Sequence, residues 1–175
     1  MERRPFSSAL TFAIAVGVLG GIAATAQAIN LESWDDKVAG KARWMVLKEF
    51  SEEAVLDKET QLVWEKSPSM TTSFWFDARR TCADKAVGNR KGWRLPAFAE
   101  LATLIDPTAP SAPFLPLLHP FIDVQPQNYW SATTDADFVF DAWIVDFSSG
   151  FVGTGDKFSP FYTWCVRGGM NADKY

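Results

Sequence analysis

The stretch FYTWCVR, residues 161–167, decides the fold. Alternate residues of a β-strand point to opposite faces of a sheet. Both faces of this stretch are apolar, since Cys165 lies on one face and Trp164 on the other. A strand with large apolar residues on both faces is typical of a buried position inside a sheet. The stretch therefore predicts a final, central strand.

A helix upstream is predicted to pack on this strand. Thr72 or Ser73 can cap a helix that runs to about Val87, with Gly88 as its stop. Apolar and small residues recur on one face at helical spacing: Trp75, Ala78, Cys82, Ala83 and Ala86. Cys82 is thus expected to face the core, where Cys165 could reach it.

Residues 1–28 have the pattern of a secretory signal peptide. Two arginines precede an uncharged, Ala- and Gly-rich apolar run, and Ala26-Gln27-Ala28 fits a small-x-small cleavage site. We expect a mature chain of residues 29–175, exported to the periplasm or to the cell surface. A retained membrane anchor and twin-arginine export are the alternatives.

The two cysteines, Cys82 and Cys165, are the only ones in the chain. An even count in an exported domain predicts a disulfide. Two free thiols are one alternative. A redox or copper site is another, although no CxxC motif is present.

Composition limits the class of partner. The 175 residues are 47% hydrophobic and 22% charged, which excludes an intrinsically disordered chain and a long coiled coil. Residues 1–28 contain two arginines and one glutamate, so residues 29–175 carry 15 basic and 20 acidic residues, a net charge of −5. An acidic domain without a basic run is a poor candidate for binding nucleic acid or anionic lipid.

The remaining elements predict an α+β fold. Residues 29–42 are interpreted as an N-terminal arm, and residues 43–175 as a single domain with its first strand at 43–48. A hairpin follows around a polar turn at 57–61. A second helix is expected over 96–105, with Pro96 at its first position. Further strands are expected at 128–134, 142–147 and 151–158, the last two joined by a tight turn at Gly150.

Residues 106–127 form a long connection that holds six of the ten prolines. Proline removes a backbone donor and fixes φ, so regular structure is not expected there. Its apolar residues predict that the loop is packed against the domain: Leu115, Leu117, Leu118, Phe121 and Ile122.

The order of these blocks resembles the Lcl C-terminal domain family, a bacterial family of poorly defined function known from collagen-like adhesins. The resemblance covers roughly 115 residues and rests on the helix with Ala78 and Cys82 and on these blocks: AVLDKETQLVWEK (54–66), GWRLP (92–96), AELATLID (99–106), HPF (119–121), YWSATT (129–134), AWIVDFSSG (142–150) and WCVRGG (164–169).

The resemblance implies a C-type-lectin-like fold, related to the formylglycine-generating-enzyme group. It implies two helices packed on a small, mainly antiparallel sheet, with a helix cysteine tied to the last strand. Cys82 and Cys165 occupy those places. One departure is Gln61, which stands where the family often has glycine. If this turn requires a positive φ, Gln61 is unfavourable there.

Catalytic chemistry finds little support in the residues. His119 is the only histidine, so a two-histidine metal site cannot be built within one chain. No nucleophile elbow is present, and His119 is interpreted as a packing residue. The related formylglycine-generating enzymes use a reactive cysteine pair, whereas both cysteines here are assigned to the predicted disulfide. The chain is therefore predicted not to be an enzyme.

The segment 134–141 is the strongest candidate for ligand contact. It places two phenylalanines among three carboxylates between two strands. The candidate ligand-binding residues are Asp135, Asp137, Phe138, Phe140 and Asp141. A calcium site is an alternative, but the central glycine and terminal glutamate of an EF-hand loop are missing. No cofactor is predicted.

Two further groups are assigned structural roles. Six tryptophans fall inside predicted elements or family blocks and are expected in the core: Trp64, Trp75, Trp93, Trp130, Trp143 and Trp164. Four charged residues in the family blocks are expected to form partly buried pairs: Arg94, Glu100, Asp146 and Arg167.

The sequence therefore predicts an exported recognition or adhesion domain that binds a glycan or an envelope or surface protein, and that is not an integral membrane protein after signal cleavage. A structural subunit of an envelope assembly, docked through residues 29–44, is the first alternative. An enzyme related to the formylglycine-generating group is the second.

Overall fold

The computed structural model describes residues 40–169. The predicted signal peptide, residues 29–39 of the predicted arm and residues 170–175 lie outside this range. Within it, two short 3-10 helices span Gly40–Ala42 and Lys48–Phe50. The strands and helices follow in this order: β1 (Trp44–Val46), β2 (Ala54–Asp57), β3 (Val63–Glu65), α1 (Trp75–Asp84), β4 (Trp93–Arg94), α2 (Phe98–Ala102), β5 (Asn128–Thr134), β6 (Asp141–Asp146), β7 (Val152–Asp156) and β8 (Val166–Arg167).

The strands form two antiparallel sheets. The first has the order β1-β2-β3-β8-β4, so the last strand of the chain lies between β3 and β4. The second has the order β5-β6-β7. The predicted α+β class is confirmed, as is the hairpin, whose strands pair in the register Ala54–Glu65, Val55–Trp64 and Leu56–Val63.

The central position of residues 161–167 is confirmed, but their continuous strand is wrong. Only Val166 and Arg167 belong to a regular ladder. Upstream, Phe161 exchanges backbone hydrogen bonds with Ser73, and the Tyr162 carbonyl accepts from the Trp130 amide at 3.0 Å. The segment pairs with a different element every one or two residues. Its backbone hydrogen bonds are therefore shared among several elements instead of being made to one partner strand.

Helix α1 is shorter than predicted at both ends. It is not capped by Thr72 or Ser73, because Phe74 is its N-cap residue and Ser73 pairs with Phe161. At the other end Lys85 is extended (φ −66°, ψ 144°). Trp75, Ala78 and Cys82 are buried as predicted. Ala83 and Ala86 are exposed, so their assignment to the core face is wrong.

Helix α2 is also shorter than the predicted 96–105. Pro96 precedes its N-cap residue Ala97 instead of starting the helix. The backbone N–H of Ala97 donates to the Glu100 carboxylate at 2.8 Å, which satisfies one free amide at the helix start. The predicted first strand is likewise reduced to β1, since residues 48–50 turn into a 3-10 helix.

The core lies on both sides of the final stretch. Trp164 and Val166 belong to one cluster of buried residues, together with Trp64, Leu101 and Tyr129. Cys165 belongs to the other cluster, which contains residues of α1 and the ring of Trp130. Five of the six tryptophans predicted in the core are buried: Trp64, Trp75, Trp93, Trp130 and Trp164. The sixth, Trp143, is only half-buried and stacks on Phe98, and Trp44, which was not among the six, is also buried.

The predicted disulfide is confirmed. Cys82 and Cys165 are bonded to each other, both are fully buried, and the described range contains no free cysteine. The bond ties α1 to the segment that runs through the middle of the first sheet.

The Pro-rich loop is packed down only in part. Leu115 and Phe121 are buried in the core cluster as predicted. Leu117, Leu118 and Ile122 are exposed, and their predicted burial is wrong. Between the two buried residues, Leu117 and Leu118 face solvent, whereas Pro116, His119 and Pro120 are partly buried.

The turn between β2 and β3 places Gln61 at φ +60°. A side chain in this left-handed region costs about 1–2 kcal/mol, and glycine avoids that cost. Glycine also has a larger conformational entropy in the unfolded chain, which offsets part of this gain. We therefore expect Gln61→Gly to raise the free energy of unfolding by up to about 1 kcal/mol. Urea denaturation followed by circular dichroism measures the change.

Gln61→Ala is the matched control, because it removes the same side chain, including its hydrogen bond to the Lys58 carbonyl at 2.8 Å, but keeps a Cβ. It should not stabilise the protein. Equal gains from both substitutions would contradict the role of the positive φ.

Candidate functional site

The loop between β5 and β6 carries the residues predicted to contact a ligand. We call residues 135–140 the tip. Asp135 Oδ1 accepts hydrogen bonds from the backbone amides of Asp137 at 2.8 Å and Phe138 at 3.3 Å. The Asp141 amide donates to the Phe138 carbonyl at 2.8 Å. These bonds close the loop on itself, so its backbone has a defined conformation.

A buried lysine fastens the tip to the body of the domain. Lys157 Nζ donates to the Val139 carbonyl at 2.6 Å, and the Lys157 backbone amide donates to the Phe140 carbonyl at 2.9 Å. The same ammonium lies 4.7 Å from the ring centroid of Trp75, a favourable cation–π distance. The tip is thus tied to α1 as well as to the residues after β7.

The apolar side chains of the tip face solvent. Phe138, Val139 and Phe140 are 67%, 68% and 69% exposed, and Phe158, next to Lys157, is 64% exposed. Single exposed apolar residues are common, but several together on an ordered backbone are typical of an interaction surface. Phe138 and Phe140, the two aromatic candidates from the sequence, are therefore both exposed, and so are Val139 and Phe158, which the sequence did not single out.

The three predicted carboxylates occupy different positions. Asp135 holds the turn through its hydrogen bonds, and Asp141 begins β6 and is half-buried. Asp137 is exposed. Within residues 40–169, no group of three or more His, Cys, Asp and Glu side chains is arranged to hold a metal ion. Their use in ligand binding stays a prediction.

A second site, a cleft of about 480 Å³, was not predicted. We call it the Glu65 cleft. It is assembled from the ends of β2, β3 and α1 and from the Pro-rich loop, so no local motif signals it. Its lining residues are Glu52, Glu53, Glu65, Lys66, Ser67, Lys85, Ala86, Val87 and Ile122.

Glu65 is the buried charge of this cleft. Its side chain is only 8% exposed and forms an ion pair with Lys85 through Oε1. Its other oxygen, Oε2, is buried and has no hydrogen-bond partner among the described residues. Burial raises the pKa of Glu65 above its usual value, although the charge and hydrogen bond of Lys85 and the nearby backbone amide of Cys165 oppose this effect. The extended conformation of Lys85, which ends α1, accompanies this pairing.

His119 packs against its neighbours. Its ring stacks on Phe121 with centroids 5.9 Å apart, and burial lowers the pKa of the imidazole. Its Nδ1 is buried without a partner in the described part of the chain.

The four charged residues assigned to buried pairs do not all pair. Arg94 donates to both carboxylate oxygens of Glu100, at 2.7 and 2.6 Å, as predicted. Asp146 instead accepts hydrogen bonds in the following turn. Burial of Asp146 acts to raise its pKa, but the bonds from Ser149 and Ser148 outweigh it, so the pKa is lowered. Arg167 lies 5.5 Å from the ring centroid of Phe50. Neither Asp146 nor Arg167 forms an ion pair with another described residue, so the predicted pairing is wrong for both.

The fold and these sites define a small α+β domain, stapled by one disulfide, with an ordered apolar loop tip and a charged cleft. The chain belongs to the Lcl C-terminal domain family, whose model matches residues 53–167. None of the curated proteins matches the chain. None of the helices within residues 40–169 has the length and apolar composition needed to cross a bilayer.

Proposed function

We propose that this protein is an exported, non-catalytic recognition or adhesion domain that binds a glycan or protein surface through its tip. The proposal rests on one observation: the side chains of Phe138, Val139 and Phe140 are exposed on a loop whose backbone is held by hydrogen bonds. Exposed apolar groups gain free energy when a partner covers them. Because the backbone is already fixed by Asp135 and Lys157, little conformational entropy is lost on binding.

The chemistry of the tip favours a protein surface over a glycan. Phenylalanine and valine offer apolar area but no hydrogen-bonding edge for hydroxyl groups. Asp137 is an exposed carboxylate within the tip, and Asp156, also exposed, pairs with Asp141 at the base of the tip. These carboxylates favour a partner with basic side chains around an apolar centre. They disfavour sulfated glycans and anionic lipids.

We also propose that the domain has no catalytic activity. Both cysteines are bonded to each other inside the core, which supports a structural role and speaks against a reactive cysteine pair. Export is supported by the signal-like residues 1–28 and by the disulfide, which persists in oxidising compartments.

The test begins with a screen of envelope proteins and glycans against the purified chain. For each ligand found, we expect Phe138→Ala/Phe140→Ala to weaken binding by at least about 30-fold, since aromatic anchors at the centre of an interface contribute about 2 kcal/mol or more. Surface plasmon resonance gives the dissociation constants. Lys157→Met should also weaken binding and should speed amide exchange across the tip.

Phe151→Ala is the matched control, because Phe151 is equally exposed at 63% but lies in the turn before β7. It should leave affinity within about twofold. Unchanged binding by the tip variant, or equal losses in both variants, would rule out the tip as the binding surface.

A further inference from the structure

The Glu65 cleft carries charges of both signs in a small space. Glu52, Glu53 and Glu65 line it together with Lys66 and Lys85. A volume of about 480 Å³ lies within the range of small-molecule sites. The cleft is separate from the tip, since none of its lining residues belongs to residues 135–140 or to β7.

The buried oxygen Oε2 of Glu65 has no hydrogen-bond donor among the described residues. Carboxylate oxygens that are buried without a hydrogen bond are costly and therefore rare in folded proteins. Lys85 satisfies Oε1 but not Oε2. Because Glu65 lines the cleft, a donor that enters the cleft and a small adjustment of the side chain would satisfy Oε2.

The other charged groups are held in place by the backbone. The amide of Lys66 donates to the Glu53 carbonyl at 2.9 Å, so the two residues are neighbours just outside the paired ends of β2 and β3. The Glu53 Oε2 atom accepts from the Gly88 amide at 2.8 Å, which leaves Oε1 available. The amide of Ile122 donates to the Lys66 carbonyl at 3.0 Å and brings an exposed aliphatic side chain to the same cleft.

We propose that the Glu65 cleft binds a small zwitterion in which an ammonium and a carboxylate lie a few bonds apart, as in a free aliphatic amino acid. The ligand ammonium donates to Glu65 Oε2 and to the glutamates at the rim. The ligand carboxylate accepts from Lys66 and from the N–H groups of Lys85 that Glu65 does not use. Val87 and Ile122 contact an aliphatic side chain. This inference goes beyond the recognition function proposed above and does not depend on it.

The cleft can compensate both charges of such a ligand. The Glu65–Lys85 pair is already balanced, and the remaining charged groups are two glutamates and one lysine. A ligand ammonium can therefore pair with the glutamates and a ligand carboxylate with Lys66. A zwitterion matches both signs.

Three probes of one size separate these cases. Leucine carries both charges, leucinamide only the positive one and N-acetylleucine only the negative one. In ¹H–¹⁵N NMR titrations of the purified chain, leucine should cause saturable shifts at Glu53, Lys66 and Val87. The other two probes should bind at least about tenfold more weakly, the loss expected for one charge-assisted contact. Leucine should also lower the pKa of Glu65 in a ¹³C titration of its carboxyl group.

Two substitutions test the assignment of residues. Glu65→Gln and Lys66→Gln should each weaken leucine binding by about tenfold or more. Lys66→Gln leaves the buried Glu65–Lys85 ion pair intact. It therefore tests the assignment by itself if a thermal melt shows that Glu65→Gln is unstable. Glu49→Gln and Lys91→Gln make the same charge changes at exposed positions outside the cleft and should stay within about twofold.

Several outcomes would overturn the proposal. Leucinamide that binds as well as leucine would identify a plain cation site. Glucose that binds in place of leucine would identify a polyol site. No saturable shift up to about 50 mM of any probe, a limit that corresponds to roughly −2 kcal/mol, would show that water alone satisfies Glu65. None of these results bears on the tip, whose partner is tested separately.

Discussion

Replacing both cysteines by alanine, as Cys82→Ala/Cys165→Ala, should lower the free energy of unfolding by about 4–5 kcal/mol. The disulfide joins residues 83 positions apart, and in the chain-entropy model a closed loop of this size restricts the unfolded chain by that amount. Alanine is preferred to serine because both sites are fully buried, and a serine hydroxyl there would lack a partner.

Urea denaturation measures this effect in two ways. The midpoint should fall, and the slope m should rise because the unfolded chain without the cross-link exposes more surface. The single variants Cys82→Ala and Cys165→Ala should match the double variant closely, since each removes the same bond. A loss below about 1 kcal/mol would mean that the disulfide does not stabilise the fold.

Asp57→Asn should cost about 3–5 kcal/mol, the range for breaking a buried ion pair. Asp57 is fully buried, and its carboxylate accepts from Arg43 Nε at 2.9 Å and from Arg43 Nη2 at 2.7 Å. Arg43 also donates to the Thr103 carbonyl at 2.9 Å, so the pair links β2 to the end of α2. Asparagine keeps the shape but leaves the guanidinium charge without its main partner.

Two variants make this prediction specific. Glu59→Gln removes the partly exposed second partner of Arg43, which lies 3.2 Å away, and should cost less than about 1 kcal/mol. Arg43→Met/Asp57→Leu replaces the whole pair by apolar groups and should recover much of the loss. Urea midpoints measure all three. If Asp57→Asn and Glu59→Gln cost the same, the buried pair has no special role.

The sequence predicted well those features that repeat or that depend on few residues. The alternation of residues 161–167 placed that segment in the centre of a sheet, and the count of two cysteines was enough to pair them. Segment 134–141 was named as a candidate for ligand contact because it places two phenylalanines among carboxylates, and the structure then showed that both rings are exposed.

Element boundaries were predicted less well, because tertiary partners outweigh local propensity. Ser73 is a good cap residue, yet its backbone pairs with Phe161 in the fold, so α1 begins later. Lys85 could continue a helix, yet it is extended where it pairs with Glu65. Leu117 and Leu118 are as apolar as Leu115, and only the path of the Pro-rich loop decides which of them is buried.

By itself, the sequence determined the fold class, the disulfide and the family, and it located the aromatic loop 134–141, because periodicity, residue counts and the order of short blocks are local properties of a chain. Only the tertiary structure decided that Lys157 holds the tip, that Arg43 pairs with Asp57, and that Glu65 and Lys85 meet in a charged cleft. These contacts join residues that are 14, 18 and 20 positions apart, and several elements must be in place at once before the groups can approach. The specific distance between two such charges is a property of the packed fold, and no short stretch of sequence carries it.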